Sequence, residues 1–161
     1  MRGGAIIGKN PGSAKANRFG VWAPLQLDRD TMLPTVRNTF RAAYSKARKQ
    51  IPSGAYVQVW NLFYLCDPNL AAAIKTIGTV PSPSLCRSEK TKPSIVWFAW
   101  GGSDSVLDPM KVRFESSSFA SPFFYDHKKV IQSRVPTPDD FPKHTQGLPM
   151  SHVIEFLGPK L

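Results

Sequence analysis

The chain is poor in the residues that commit a protein to the commonest cofactors. Cysteine occurs only twice, as Cys66 and Cys86, and the two are not a close-spaced pair. That excludes a disulfide framework and an iron–sulfur cluster held by one chain, and it points to a reducing compartment. Histidine occurs three times, as His127, His144 and His152, with no metal-ligand spacing. No zinc site and no cofactor are therefore expected. Acidic residues are also scarce, with 11 Asp and Glu against 21 Lys and Arg, leaving a net charge of +10. Long apolar runs are missing too. The stretch Ala5-Ile6-Ile7 is far too short for a signal peptide or a membrane span, so a cytoplasmic location without membrane contact is expected.

What remains is enough for a core. Hydrophobic residues make up 42% of 161 residues, which predicts one folded domain over 1–161. The positive charge favours a polyanionic partner, of which nucleic acid is the commonest, or marks a basic protein with no such partner. Four apolar runs read as strands: Ala5–Gly8, Tyr56–Trp60, Ser94–Trp100 and Lys129–Val135. The third does not alternate, as in a strand buried on both faces of a parallel sheet. A helix is predicted over Leu33–Gln50, capped by Thr31, with Pro34 in its first turn and Val36, Phe40, Ala43 and Ala47 on its core stripe. Arg37, Arg41 and Arg48 form a second stripe, either a solvated face or a phosphate-facing ridge. Further helices are expected over Pro68–Ile77, Ser103–Met110 and Ser151–Leu157. Thr79–Lys92 and Pro136–Pro149 read as loops, and Glu115–Asp126 has no clean period.

The strand ends carry the polar residues worth weighing. In an open parallel sheet, ligands bind at carboxyl ends. Gly8-Lys9-Asn10-Pro11-Gly12-Ser13 follows the first strand. Its glycines permit close approach of a ligand, and Asn10 has an amide able to donate and accept; Asn-Pro-Gly is also an ordinary turn. Asn61 ends the second strand, where an Asn can pair with a base edge or cap local backbone. Trp100-Gly101-Gly102-Ser103-Asp104 follows the third. The stretch His144 to His152 places two histidines in and after a late loop, a position that often carries function.

The order of these features resembles the uracil-DNA glycosylase superfamily. Ile6-Ile7-Gly8-Lys9-Asn10-Pro11-Gly12 and Ala16-Asn17-Arg18-Phe19 look like its mismatch-specific and thymine-DNA branch. Val59-Trp60-Asn61 is placed like the base-reading Asn, and Phe98-Ala99-Trp100-Gly101 like the third-strand Trp-Gly. The last motif departs from the pattern: His144-Thr145-Gln146-Gly147-Leu148-Pro149 lacks the flanking Pro-Ser. Nearly the whole chain also resembles a bacterial and phage family of unknown function, through Asn10-Pro11-Gly12-Ser13-Ala14, Asn61-Leu62-Phe63, Ala99-Trp100-Gly101 and Gly147–His152. His144 aligns with the glycosylase His and His152 with the His of that second family.

The resemblance implies a three-layer α/β/α fold with a central, mostly parallel four-stranded sheet. It implies a monomer that binds DNA and takes up a flipped or single-stranded base. Asn10 would position water, with Asp28 or Asp30 as a possible base. His144 or His152 would donate to the leaving base. Asn61 would read that base between Gly8 and Gly12, and Phe19 or Trp22 would stack on it. Lys9, Lys15, Arg37 and Arg41 would contact phosphates. The alternatives are a base-binding module without chemistry and a structural protein whose basic face binds an acidic partner.

Overall fold

The computed structural model describes residues 3–12, 15–16, 23–26, 30–67, 69–81, 85–102 and 104–161, with backbone only at 15–16. Strands β1 (Gly3–Gly8), β4 (Tyr56–Asn61), β5 (Ile95–Phe98), β6 (Pro122–Tyr125) and β7 (Ile131–Gln132) form one sheet. Its order is β4-β1-β5-β6-β7. The first four strands are parallel and β7 runs antiparallel to β6. A separate antiparallel pair joins β2 (Lys15–Ala16) to β3 (Leu25–Gln26).

The sheet thus has five strands rather than the four expected. The fourth parallel strand is Pro122–Tyr125, inside the stretch that showed no period. That absence has a physical cause: Phe123, Phe124 and Tyr125 are all buried, on alternate faces, so no polar side appears. The expected strand Lys129–Val135 shrinks to β7. Asp126 organises the intervening turn, accepting from Val130 N and Gln132 Nε2 at 2.9 Å each, with Lys129 at φ 63°.

Helices cover both faces. α1 (Met32–Lys46) and α4 (Met150–Leu157) pack with Ile6, Trp97 and Phe123. α2 (Leu70–Ile77) and α3 (Asp108–Glu115) pack with Ile7, Phe98 and Phe124. Residues Ile95 to Trp100 are at most 1% exposed, as the unbroken apolar run predicted. Burying each such large side chain contributes roughly 1.5–3 kcal/mol.

Helix ends differ from the sequence reading for local reasons. α1 is capped by Asp30, whose Oδ1 accepts from Leu33 N at 2.7 Å; the Thr31 side chain makes no capping bond. It stops at Lys46 because Arg48 turns left-handed (φ 53°). The helix expected over Ser103–Met110 starts later, as a 3-10 turn over Ser105–Leu107, and continues as α3 to Glu115. Pro68 lies outside the described residues. Asn69 caps α2 by accepting from Ala72 N at 3.1 Å. Asn69→Ala should therefore cost about 1 kcal/mol in chemical denaturation, and an unchanged midpoint would show the cap idle.

Candidate functional site

Within the large sheet the chain visits β4 second, β1 first, then β5, β6 and β7, so the winding reverses beside β1. Beside such a reversal the loops leave the strand ends in opposite directions and open a crevice. Here the strand ends are laced together. Leu62 N donates to Gly8 O at 3.0 Å, Phe63 N to Lys9 O at 3.3 Å, and Ala99 N to Ile7 O at 2.8 Å. The sequence-distant turns after β1, β4 and β5 therefore share one edge.

Asn61 sits at the centre of that edge, 4% exposed. Two carbonyls face its amide and dictate its orientation: the nitrogen donates to Asn10 O at 3.1 Å and Trp60 O at 3.2 Å. The same nitrogen lies against Gly8, where an added Cβ would meet it at 3.1 Å. Gly8 is thus explained by close approach of Asn61. Gly12 is explained by its φ of 57°. Asn61 ties the Asn10 turn to β4 through its amide nitrogen.

The opposite wall comes from β5 and the late loop. Gly101 N donates to Pro142 O and Lys143 N to Tyr125 O, each at 2.7 Å, which hangs the loop on two strand ends. This brings His144 against Gly101, whose added Cβ would lie 3.7 Å from His144 Cβ. The His144 Nδ1 accepts from Gln146 N at 3.3 Å, so in the neutral ring Nε2 carries the proton. Burial depresses the His144 pKa; the Asp30 charge opposes this and the Lys9 charge adds to it. Next to it, the Thr145 hydroxyl is buried without a hydrogen-bond partner among the described residues.

Lys9 and Asp104 close the crevice between β1 and β5, with Nζ and Oδ2 2.6 Å apart. Asp104 carries no local signature of a site in the sequence, where it simply follows Gly101-Gly102-Ser103. It supplies a carboxylate that the Asn10 turn lacks. Asp30 supplies a second, close enough to act on His144 while capping α1.

The structure therefore gathers Gly8, Lys9, Asn10, Asn61 and His144 at one edge. It separates His152, which is exposed on α4 and stacks on Tyr125, with its Nδ1 3.3 Å from the Tyr125 hydroxyl. Of the two late histidines, His144 is the one at the crevice. Arg37 and Arg41 lie elsewhere, on the exposed side of α1 beside a groove of about 1180 Å³. Phe19, Trp22 and Asp28, together with the Lys15 side chain, lie outside the described residues.

A network behind Asn61 was invisible in the sequence. Arg113 of α3 donates to Asn61 O and Leu62 O at 2.6 Å each and pairs with Glu89 at 3.2 Å. The Tyr64 hydroxyl donates to Glu89 Oε1 at 2.6 Å and accepts from Asn61 N at 3.2 Å. Burial first, then Glu89, pushes the Tyr64 pKa far above the usual tyrosine value, so it stays a donor. Among the described residues no group of three His, Cys, Asp or Glu side chains gathers as a metal site. No described helix is long and apolar enough to cross a membrane.

Compared with known proteins, the chain matches no family model, no curated protein and no solved structure at a significant level.

Proposed function

We propose that this protein holds a flipped or single-stranded nucleobase at the carboxyl edge of its sheet and hydrolyses the N-glycosidic bond, in the manner of uracil-DNA glycosylases. The observation that carries the reading is the meeting of Asn10, Asn61 and His144 at one edge from segments far apart in sequence.

Base excision passes through a cationic sugar and an anionic base. It needs a placed water and a donor to the departing base oxygen. The neutral His144 ring offers Nε2–H as that donor. Asn10 orients the water, and Asp104 or Asp30 takes its proton. Asn61 acts mainly by fixing the Asn10 turn and would offer its Oδ1 to a base N–H. The commitment of the Asn61 nitrogen to Asn10 O favours a second reading, in which the site binds a base or nucleotide without chemistry.

Base release from oligonucleotides carrying uracil, mismatched thymine or 5-modified pyrimidines tests the proposal. Release is expected from at least one substrate. Asn10→Ala should slow it by about tenfold, the worth of one hydrogen bond. No release from any substrate, with base-dependent binding retained, would leave the second reading standing alone.

A further inference from the structure

The groove that Arg37 and Arg41 border belongs neither to the strand-end cluster nor to the core. It runs between α1 and β4, and Val36, Phe40, Val57 and Val59 form part of its apolar floor. β4 is an edge strand with a sheet neighbour on one side only. Arg37 and Arg41 rise on one side and Arg87 on another, all three exposed. Among the described residues, none of the three has a hydrogen-bond or ion-pair partner, and the described lining contains no carboxylate. This sets them apart from Lys9, Lys46, Lys111, Arg113 and Arg134, each paired with an acid. Among the described residues, these cations around an apolar trough have no counter-charge, which makes the groove an electrostatic site for an anion.

We infer that this groove takes the backbone of a single-stranded nucleic acid, with phosphates on Arg37, Arg41 and Arg87 and bases over the apolar floor. Three features select this occupant. Arg37 and Arg41 are four residues apart on α1, a rise of about 6 Å, which suits a line of repeating charges better than one compact anion. The guanidinium fork matches phosphate oxygens bidentately. The volume exceeds the usual 300–1,000 Å³ or so of a small-ligand pocket, so a polymer fits where one nucleotide would leave most of the trough empty. Position adds a fourth argument. The groove includes Leu33, next to Met32, and a Cβ on Gly8 would lie 3.7 Å from Met32 Cε. A strand whose base rests at the strand ends can thus continue along α1. The inference rests on the nucleic-acid part of the reading above and not on hydrolysis.

The test is fluorescence anisotropy of a labelled 12-mer oligothymidylate across a salt series. It compares wild type, the triple variant Arg37→Ala/Arg41→Ala/Arg87→Ala and the corresponding triple Lys variant. Each single-strand phosphate contact contributes about 0.7 to the slope of log affinity against log salt, so the Ala triple should flatten it by about 2. The Lys triple should keep most of the slope, and the melting temperatures of both should match wild type. Equal slope and affinity in wild type and the Ala triple would overturn the inference. So would no binding of the oligonucleotide, or tighter binding of an oligoglutamate peptide. If wild type releases no base yet its oligonucleotide binding depends on the three arginines, the hydrolytic reading falls and the groove stands.

Discussion

Arg113→Ala is expected to lower the unfolding free energy by about 3–5 kcal/mol, the usual cost of stranding one partner of a buried ion pair. The side chains of Arg113 and Glu89 are only 18% and 11% exposed, so water cannot replace what is lost. The guanidinium also satisfies the outward carbonyls of Asn61, Leu62 and Met110. The Asn61 and Leu62 carbonyls stand at the carboxyl end of β4, an edge strand, and the Met110 carbonyl is one turn back along α3. For a chain of this length the loss corresponds to a fall in melting temperature of roughly 10 °C. Arg113→Ala in a Glu89→Gln background should cost clearly less, because the stranded charge is then gone. A loss under about 1 kcal/mol in wild type would mean that the network is loosely solvated. The same substitution should disturb the Asn61 amide, since Arg113 and Tyr64 hold that residue's carbonyl and N–H from behind.

The parts of the fold that could be read from sequence are those whose signal is local. The Gly3–Gly8, Tyr56–Asn61 and Ile95–Phe98 strands announce themselves as apolar runs ending in turns. The core stripe of α1 follows from helical spacing, and Val36, Phe40 and Ala43 are buried as predicted. β6 was hidden because a strand buried on both faces, lying among serines and prolines, carries no alternation. Thr31 looked like the cap of α1, but Asp30 reaches Leu33 N instead. Both are acceptable caps by type, so chain direction in space had to decide.

The candidate site was half legible. Asn10 and Asn61 are visible as polar residues at strand ends, and the rule about carboxyl ends of parallel strands predicts that they meet. Choosing between His144 and His152 required the loop to be hung on Gly101 and Tyr125, a contact between residues far apart in sequence. Asp104, Arg113, Glu89 and Tyr64 have no local signature at all. Each is an ordinary polar residue until topology brings it to the crevice or behind it.

His144→Ala should reduce base release by about 10²–10³-fold, the typical cost of removing one preorganised donor to developing negative charge. The donor role depends on protonation. Gln146 N donates to Nδ1, which fixes the neutral ring with its proton on Nε2. Protonating the ring would place a hydrogen on Nδ1 and oppose that bond. Burial depresses the His144 pKa below its ordinary value of 6.5, against the opposing pull of Asp30 and with the aid of Lys9. The sign of the linkage follows. Below pH 6.5 the unfolded chain takes up a proton that the folded site resists, so the unfolded state binds more protons and gains stability. The contribution of His144 to stability is thus full above pH 6.5 and is lost as pH falls from there through the depressed folded value. Thermal unfolding between pH 5 and 8 should show that component in wild type and not in His144→Ala. Single-turnover base release should hold its plateau through pH 6.5 and decline only further into acid, where the folded site is finally protonated. A release profile centred at or above 6.5 would mean that His144 is solvated rather than held between Gly101 and Gln146, and would remove it from the donor role.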